Sequence, residues 1–389
     1  MTGKERILTA LAGGKADITP VGIDYLSLYL AERVERAYVE AYMPRLRRMG
    51  RLRIEPTEDV ELRAQAILSA YDCFQEQGDW FIAFPGPSRE TLSRRELVLE
   101  GDKVFEVDLA TGRRRQMLQS GEESKTQEMQ DLFEHQRRRY ADRQHLDAIL
   151  QDHKQRARDS RGDFSLVKLL ADRMGAERFI YSGAGAPFWS LYGVLGFEGM
   201  MTALYDAPDA VFYMMDFLLD FVVENAQAFK EAGGHGLRIE ECLASADIIS
   251  AKIYERFALP YEEKLFSQLR RMGLKTILYF CGDVMPRLSS LRQLPIDALM
   301  VEESKKDFII DIGAVRAAVG PALCLCGNVD AYGIVQMASE AELQAEVERQ
   351  TRVAGAKGAF IAGVGSPLPL DLPPRRADLF VRFARQSGV

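Results

Sequence analysis

The residues best suited to chemistry follow short apolar runs of the chain. Residues 274–283 read L-K-T-I-L-Y-F-C-G-D, and the run ends in Tyr279, Cys281 and Asp283, which carry a phenol, a thiol and a carboxylate. A β-prone apolar run between two glycines is typical of a strand buried on both faces of a parallel sheet. Strand ends of this kind hold the active site in β/α barrels, so these three side chains are candidates for chemistry.

Similar apolar runs recur along the chain, and each one also ends in reactive or polar side chains. They supply Asp24; Ser182 and Trp189; Glu240, Glu241 and Cys242; Glu302 and Glu303; Asn328 and Asp330; and Ser366. Carboxylates dominate this set, which suits a divalent cation, a cationic substrate, or general acid–base catalysis by carboxyl groups with raised pKa values. The alternative for any single acid is that it only caps the helix that follows its strand.

Several of the candidate side chains have competing interpretations. Cys281 is a metal ligand, a nucleophile or a packed thiol, and packing is the common fate of an isolated cysteine. Tyr279 either donates a hydrogen bond to a substrate oxygen or forms part of the site wall. Three of the four histidines, His135, His145 and His153, lie in the charged segment 120–162. They have no acidic or cysteine partner at ligand spacing, which favours solvated histidines over a metal site.

The elements that position these residues read as a parallel α/β fold. From about residue 176, β-prone apolar runs alternate with amphipathic segments, and this alternation predicts βαβ units. With one or two further units near the N-terminus, the pattern predicts a (β/α)8 TIM barrel with N-terminal helical and β-hairpin additions. The alternating residues 96–109 predict the hairpin, with a turn at Gly101 and Asp102. A doubly wound sheet is the alternative, but residues 183–185 lack the third glycine of a dinucleotide fingerprint.

Composition narrows the class of protein. The 389 residues carry a formal net charge of −7, and no basic patch predicts binding to nucleic acid. The five cysteines are scattered and odd in number, which favours a reducing cytoplasm over a disulfide framework. The most apolar stretch, residues 211–223, contains two aspartates and predicts a buried helix rather than a membrane span. We expect one domain over residues 1–389, with an insert or cap at about 90–165.

Several segments together resemble the uroporphyrinogen decarboxylase superfamily. They are A-P-F-W-S-L-Y-G-V-L-G-F-E-G-M with D-A-P-D behind it, the acidic pair at 240–241, I-S-A-K-I-Y-E-R-F-A-L-P-Y, F-C-G-D at 280–283, V-E-E-S at 301–304, C-G-N-V-D at 326–330 and A-F-I-A-G-V-G-S-P at 359–367. The N-terminal K-E-R-I-L-T-A-L-A-G-G-K-A-D-I-T-P-V is similar to the methyltransferase branch of this superfamily. The resemblance implies a (β/α)8 barrel, in agreement with the pattern of strands and helices.

The resemblance also separates two branches by their motifs. The decarboxylases carry R-Q-A-G-R near the N-terminus to hold substrate carboxylates, whereas this chain reads V-G-I-D-Y-L there. An acidic mouth would also repel a polycarboxylate tetrapyrrole. Some corrinoid-dependent methyltransferases of the other branch bind zinc through an H-x-C pair and a later cysteine. Here the pair reads Tyr279-x-Cys281, and the later position falls in G-V-G-S-P, which contains no cysteine.

The resemblance implies a cytoplasmic methyltransferase that moves a methyl group between a small donor, of methoxylated aromatic or methylamine type, and a corrinoid carried by a separate partner protein. The expected site residues are Glu240, Glu241, Tyr279 and Asp283 for catalysis; Asp24, Ser182, Trp189, Asn328 and Ser366 for substrate binding; and Cys281, Glu240 and Glu303 for a metal. Zinc is the expected metal, and a site without metal is the alternative. A homodimer is one expected assembly. The competing functions are a decarboxylase acting on a different substrate and a ligand-binding barrel without turnover.

Overall fold

Eight parallel strands form the central sheet of the computed structural model, which describes residues 1–26, 28–118 and 143–387. In chain order, they are β1 (Val21–Gly22), β3 (Trp80–Ile82), β7 (Phe179–Gly185), β8 (Gly236–Glu241), β9 (Lys275–Phe280), β10 (Ala298–Val301), β11 (Cys324–Cys326) and β12 (Phe360–Gly363). The spatial order is β1-β12-β11-β10-β9-β8-β7-β3. Consecutive barrel strands from β3 to β12 are therefore paired with each other, and β12 also pairs with β1. This arrangement confirms the predicted (β/α)8 barrel.

The barrel closes between β1 and β3 through contacts outside the regular strand ladder. The backbone N–H of Asp79 donates to the carbonyl of Val21 at 2.7 Å, and the indole N–H of Trp80 donates to the carbonyl of Ile23 at 2.9 Å. A glycine is required at position 22, because an added Cβ would lie 2.4 Å from the Trp80 ring. Strand β1 is only two residues long, and this seam is closed by a side chain as well as by backbone.

A small antiparallel sheet lies outside the barrel. Its strands are β2 (Arg51–Arg53), β4 (Arg95–Glu100), β5 (Lys103–Asp108) and β6 (Arg114–Gln116), in the order β2-β4-β5-β6. The predicted hairpin is confirmed as β4 and β5, and Gly101 has a φ of 60° in the turn between them. Alternate residues of this sheet, such as Leu52 and Leu97, pack in a hydrophobic cluster separate from the barrel core. The N-terminal additions thus have a small core of their own.

Helices surround the barrel. The described ones are α1 (Gly3–Leu11), α2 (Ala31–Met49), α3 (Pro56–Ala70), α4 (Arg89–Ser93), α5 (Arg143–Arg161), α6 (Ser165–Met174), α7 (Pro187–Asp206), α8 (Pro208–Glu231), α9 (Ala251–Ile253), α10 (Leu259–Arg271), α11 (Leu288–Leu291), α12 (Ile312–Val319), α13 (Glu340–Gly355) and α14 (Pro374–Gln386). Local sequence explains several ends: Ser339 and Glu342 form a capping box at the start of α13, and Pro208 begins α8. No helix in the described part of the chain is long and apolar enough to cross a membrane.

Candidate functional site at the mouth of the barrel

A cavity of about 360 Å³ opens at the carboxyl ends of the barrel strands, and we call it the mouth cavity. It is lined by Gly22, Asp24, Leu28, Phe84, Arg161, Gly183, Ala184, Gly185, Arg238, Glu240, Tyr279, Met300, Val364, Ser366 and Pro367. Four of the predicted site residues, Asp24, Glu240, Tyr279 and Ser366, are in this lining. They come from four different strands or strand ends, and parallel strands bring them together because all their carboxyl ends point the same way.

A buried arginine organises one side of the mouth cavity. Arg238, in the middle of β8, donates to Asp24 at 3.0 Å and to Glu240 at 2.7 Å. Its guanidinium also lies 5.7 Å from the ring centre of Tyr181 and 5.8 Å from that of Tyr279. Burial lowers the pKa of Arg238, but Tyr181, Asp24 and Glu240 outweigh burial and raise it above its ordinary value. The cation is therefore permanent, and it fixes both carboxylates.

This ion pair corrects the expectation of an acidic mouth. Arg238 is 6% exposed and pairs with two of the predicted acids, and with Arg161 the cavity lining contains two arginines against these two acids. The argument that the mouth repels polyanions therefore loses its electrostatic basis. The Arg238 Nε atom is buried and has no hydrogen-bond partner in the described structure. An unpaired donor of this kind is costly in a native core and is common at functional sites.

Two thiols meet beside these groups. Cys242 and Cys281 follow the neighbouring strands β8 and β9, and their Sγ atoms lie 2.9 Å apart. The hydrogen bond between them and burial both raise the pKa of Cys242. Burial, followed by the nearby Cys281 and Glu302, raises the pKa of Tyr279, whose hydroxyl donates to the carbonyl of Gly365 at 2.6 Å. The phenol is thus protonated at neutral pH, and its single O–H is bonded to Gly365 near the thiol pair.

The acids after β10 are held by a lysine. Lys305 forms ion pairs with Glu302, at 3.1 Å, and with Glu303. The Ser366 hydroxyl donates to the Glu303 carboxylate at 2.6 Å, and the Glu302 carboxylate accepts from the backbone N–H of Gly282 at 2.8 Å. Glu303 is therefore committed to Lys305 and Ser366 and is not oriented toward Cys281, as the predicted metal set requires.

The residues at the mouth fit a zinc ion by chemistry but do not form a complete site. The thiol pair is a soft donor set of the kind that zinc prefers, and Glu240 is close enough to Cys242 to raise the pKa of that thiol. Within residues 1–26, 28–118 and 143–387, however, no group of three or more His, Cys, Asp or Glu side chains is arranged to hold a metal. The predicted ligand set Cys281, Glu240 and Glu303 is thus not assembled, and Cys242 is the better partner for Cys281.

Glu241 lies on the other side of the strand from Glu240. Successive side chains of a strand point to opposite faces, so the two acids cannot both face the mouth. Glu241 is fully buried and accepts from the backbone N–H of Leu243 at 3.2 Å. Burial and the neighbouring Glu262 raise its pKa well above the ordinary value. Its predicted catalytic role is inconsistent with this position, because it does not line the mouth cavity.

Four other predicted site residues have structural contacts outside the mouth cavity. The Asp283 carboxylate accepts from the backbone N–H of Met285 at 3.1 Å, so it caps the short turn after β9. The Asn328 amide donates to the carbonyls of Glu302 and Ile310, at 3.1 and 3.0 Å. Trp189 stacks on Tyr192 in α7, and Ser182 lines a second cavity behind β7. These positions follow from the strand–loop geometry, in which polar residues after a strand often serve the next turn.

The histidine expectation is only partly testable. His135 and the side chain of His145 lie outside the described residues. His153 is half-buried and also lines the second cavity, and burial lowers its pKa. It is therefore not a freely solvated histidine, which corrects the prediction for this residue.

Three functional candidates were missed at the level of sequence. Cys242 is at a strand end in the sequence but is not among the expected site residues. Neither Arg238 nor Arg161 is among the candidates from sequence. A signal for Arg238 exists in the strand G-L-R-I-E-E, where the arginine stands two residues before Glu240 and so shares its face. Arg161 ends α5, a helix in the charged segment, and nothing local in that segment indicates that the residue reaches the barrel mouth.

Comparison with known proteins agrees with this architecture. The family described as uroporphyrinogen decarboxylase (URO-D) matches residues 141–387, which is more than half of the chain. The methylcobamide:CoM methyltransferase MtbA of Methanosarcina mazei is 26% identical over 199 residues, covering 51% of this chain and 54% of the relative. A uroporphyrinogen decarboxylase of Pseudomonas fluorescens is 29% identical over 216 residues, covering 53% and 58%. The chain spans about half the length of the curated relatives it matches.

The solved structures show the same fold. A methyltransferase from Methanosarcina mazei superposes with a TM-score of 0.63 at 16% sequence identity, and the match covers 99% of both chains. At this identity the likeness concerns the fold alone. The family match over residues 141–387 shows that the chain belongs to the uroporphyrinogen decarboxylase (URO-D) family.

Proposed function

We propose that this chain is a methyltransferase that moves a methyl group between a small methyl donor and a corrinoid carried by a separate protein. The observation that carries the proposal is the thiol pair Cys242 and Cys281, which lies next to two residues of the mouth-cavity lining, Tyr279 and Glu240. The similarity to MtbA supports it, since that relative is named as a methylcobamide:CoM methyltransferase. The donor would be of methoxylated aromatic or methylamine type.

In-line displacement at a methyl carbon needs positioning and stabilisation of the leaving atom. We assign the second task to Tyr279. Its protonated hydroxyl would exchange the carbonyl of Gly365 for the leaving oxygen or nitrogen and donate to that atom in the transition state. Glu240 is held in one orientation by Arg238 and would position the donor. Asp24 and Ser366, in the same lining, would contact the rest of the substrate.

A zinc ion at this mouth would be held by Cys242 and Cys281, with Glu240 as the nearest carboxylate. When bound, it would act as a Lewis acid that polarises the leaving atom. Metal analysis of the purified protein tests this assignment. About one zinc per chain would support the assignment, and protein without zinc would favour the alternative of a site without metal. Cys242→Ser and Cys281→Ser should lose the metal, whereas Glu303→Gln should retain it, because Glu303 is paired with Lys305.

The surface around the mouth is suited to a protein partner. Six exposed apolar side chains follow barrel strands β1, β8, β10, β11 and β12: Leu28, Ile248, Ile309, Tyr332, Met337 and Leu370. Ile309 and Met337 are 78% and 64% exposed. Apolar side chains in such numbers around one opening mark an interaction surface. We assign this surface to the corrinoid protein, which must bring its cobalt to the cavity. Residues 90–165, in the same proposal, form an insert in a single domain over 1–389.

The direct test combines the purified chain with a reduced corrinoid protein and a panel of methoxylated aromatics and methylamines. Methylcobalt formation, followed by absorption spectroscopy, is expected with at least one donor. Met337→Asp should raise the KM for the corrinoid protein but leave transfer to free cob(I)alamin unchanged. Val353→Asp on α13 is the matched control at an exposed apolar position on a barrel helix. No methylcobalt from any donor would contradict the proposal.

Decarboxylation is the second candidate, because relatives named uroporphyrinogen decarboxylase match at 28–29% identity. The mouth cavity, however, is of the size that binds an ordinary small ligand rather than a tetrapyrrole. Release of carbon dioxide from a small carboxylic acid, without any corrinoid, would favour this candidate over methyl transfer.

A further inference from the structure

A second cavity of about 380 Å³ lies behind β7, between this strand and helices α5 and α8. We call it the β7 cavity. Its walls are mainly apolar and aromatic, and their apolar side chains include Phe164, Leu218, Phe221, Val222, Phe229 and Leu237. Its size is in the range of small-molecule sites, and walls of this kind suit a single aromatic ring.

The β7 cavity and the mouth cavity adjoin. Both are lined by Phe84, Arg161 and residues 183–185. Two of those three residues are glycines, so the wall between the cavities is thin. An added Cβ at Gly183 would lie 3.5 Å from a carboxylate oxygen of Glu240. A substituent of a ring in the β7 cavity would therefore reach the Glu240 carboxylate around Gly183, where β7 still pairs with β8 but no longer with β3.

The side chain of Arg161 lies where the two cavities meet. The Arg161 guanidinium lies over the Phe84 ring, 4.8 Å from its centre. Among the side chains that the structure describes, no carboxylate forms an ion pair with Arg161, in contrast to Arg156 and Arg158 of the same helix. An arginine that lines two cavities and has its planar fork unpaired is suited to bind a carboxylate through two parallel hydrogen bonds.

We propose that the β7 cavity binds the ring of an aromatic carboxylate, whose carboxylate pairs with Arg161 and whose methoxy substituent reaches Glu240 and Tyr279 past Gly183. This inference rests on the proposed methyltransferase function, since it names the class of methyl donor. It selects the methoxylated aromatic over the methylamine, because a cationic donor would be repelled by Arg161.

Equilibrium binding measured by calorimetry, without any corrinoid protein, tests the inference. The probes are 3-methoxybenzoate, methoxybenzene and 3-methoxybenzylamine. We expect 3-methoxybenzoate to bind at least tenfold more tightly than the other two. Arg161→Gln should weaken 3-methoxybenzoate binding about 10- to 100-fold, the usual range for a lost charged hydrogen bond, and leave methoxybenzene unchanged. Arg156→Gln is the matched control, because it removes the same charge from the same helix.

Filling the cavity is an independent test. Val222→Trp should abolish binding of both neutral and anionic rings. If Val222→Trp does not fold, the smaller change Ala226→Leu is the substitute variant, and it should weaken binding of both rings. Equal effects of Arg161→Gln and Arg156→Gln, or no binding of 3-methoxybenzoate to the wild type, would overturn the inference. Tight binding of 3-methoxybenzoate without methylcobalt formation would support the inference and contradict the proposed function. Methylcobalt formation from methylamines alone would support the proposed function and contradict the inference.

Discussion

Glu240 and Glu241 are consecutive residues of β8, but their carboxyl groups lie in opposite environments. Glu240 faces the barrel mouth and is paired with the permanent cation of Arg238. Glu241 faces the helical layer, where its close acidic neighbour is Glu262, and burial raises the pKa of both groups. The first carboxyl group has a cationic partner, whereas burial favours the protonated form of the second. Two identical side chains thus differ in chemistry because the strand turns them to opposite faces.

The largest expected effect comes from removing the cation on the mouth side. Arg238→Met leaves Asp24 and Glu240 without their partner, and a broken buried ion pair costs about 3–5 kcal/mol. The free energy of unfolding in urea should fall by that amount. The triple variant Arg238→Met with Asp24→Asn and Glu240→Gln should recover most of the loss. If the single variant is as stable as the wild type, the ion pair does not organise the mouth.

Next in size is the difference between the two acids in catalysis. Glu240→Gln should reduce the rate of methylcobalt formation about 10²-fold, or about 2.7 kcal/mol, the size expected when a substrate is mispositioned. Glu241→Gln should change the rate less than threefold, since its side chain does not line the mouth cavity. A rate loss with Glu241→Gln that equals the loss with Glu240→Gln would break the comparison.

A smaller effect is expected in the pH dependence of stability. Burial raises the pKa of Glu262 from 4.5 to about 7, although its hydrogen bond from Tyr254 and the nearby Arg287 act in the opposite direction. The folded protein therefore keeps a proton that the unfolded chain releases, so this contribution is complete below pH 4.5 and is lost as pH rises through 7. We expect the free energy of unfolding to fall by up to about 3 kcal/mol over this window.

Glu262→Gln should reduce that slope, because glutamine has no proton to lose. Glu263→Gln, at the exposed neighbouring position of α10, is the matched control and should leave the slope unchanged. Urea unfolding at pH 5 and at pH 8 measures both. An unchanged slope in Glu262→Gln would show that the outer pair does not titrate in this range.

The smallest effect concerns Asp283, which the structure places at a turn rather than in the mouth cavity. Asp283→Ala removes the acceptor for the Met285 N–H and should cost about 1 kcal/mol of stability, as for other lost caps. The rate of methyl transfer should stay within twofold of the wild type. A large loss of rate without loss of stability would restore the catalytic role predicted from sequence.

Much of the fold could be predicted because it depends on local patterns. The alternation of residues 96–109 specified the hairpin of β4 and β5, and the Ser339–Glu342 spacing specified the start of α13. The candidate site was harder. Asp24, Glu240, Tyr279 and Ser366 were expected at the mouth and line it, but Glu303 and Asp283 have partners that no spacing reveals. A carboxylate after a strand looks the same in sequence whether it caps a turn, pairs with a lysine or faces a substrate.

The sequence by itself determined the number and direction of the strands, and therefore which chain segments end at the mouth, because hydrophobic periodicity and turn residues act over a few neighbours. Only the tertiary structure decided which side chains meet there. Arg238 pairs with Asp24 across 214 positions of the chain, and Cys242 meets Cys281 across 39. Such contacts depend on strand register and on the face to which each side chain turns, and both are fixed only when the barrel closes.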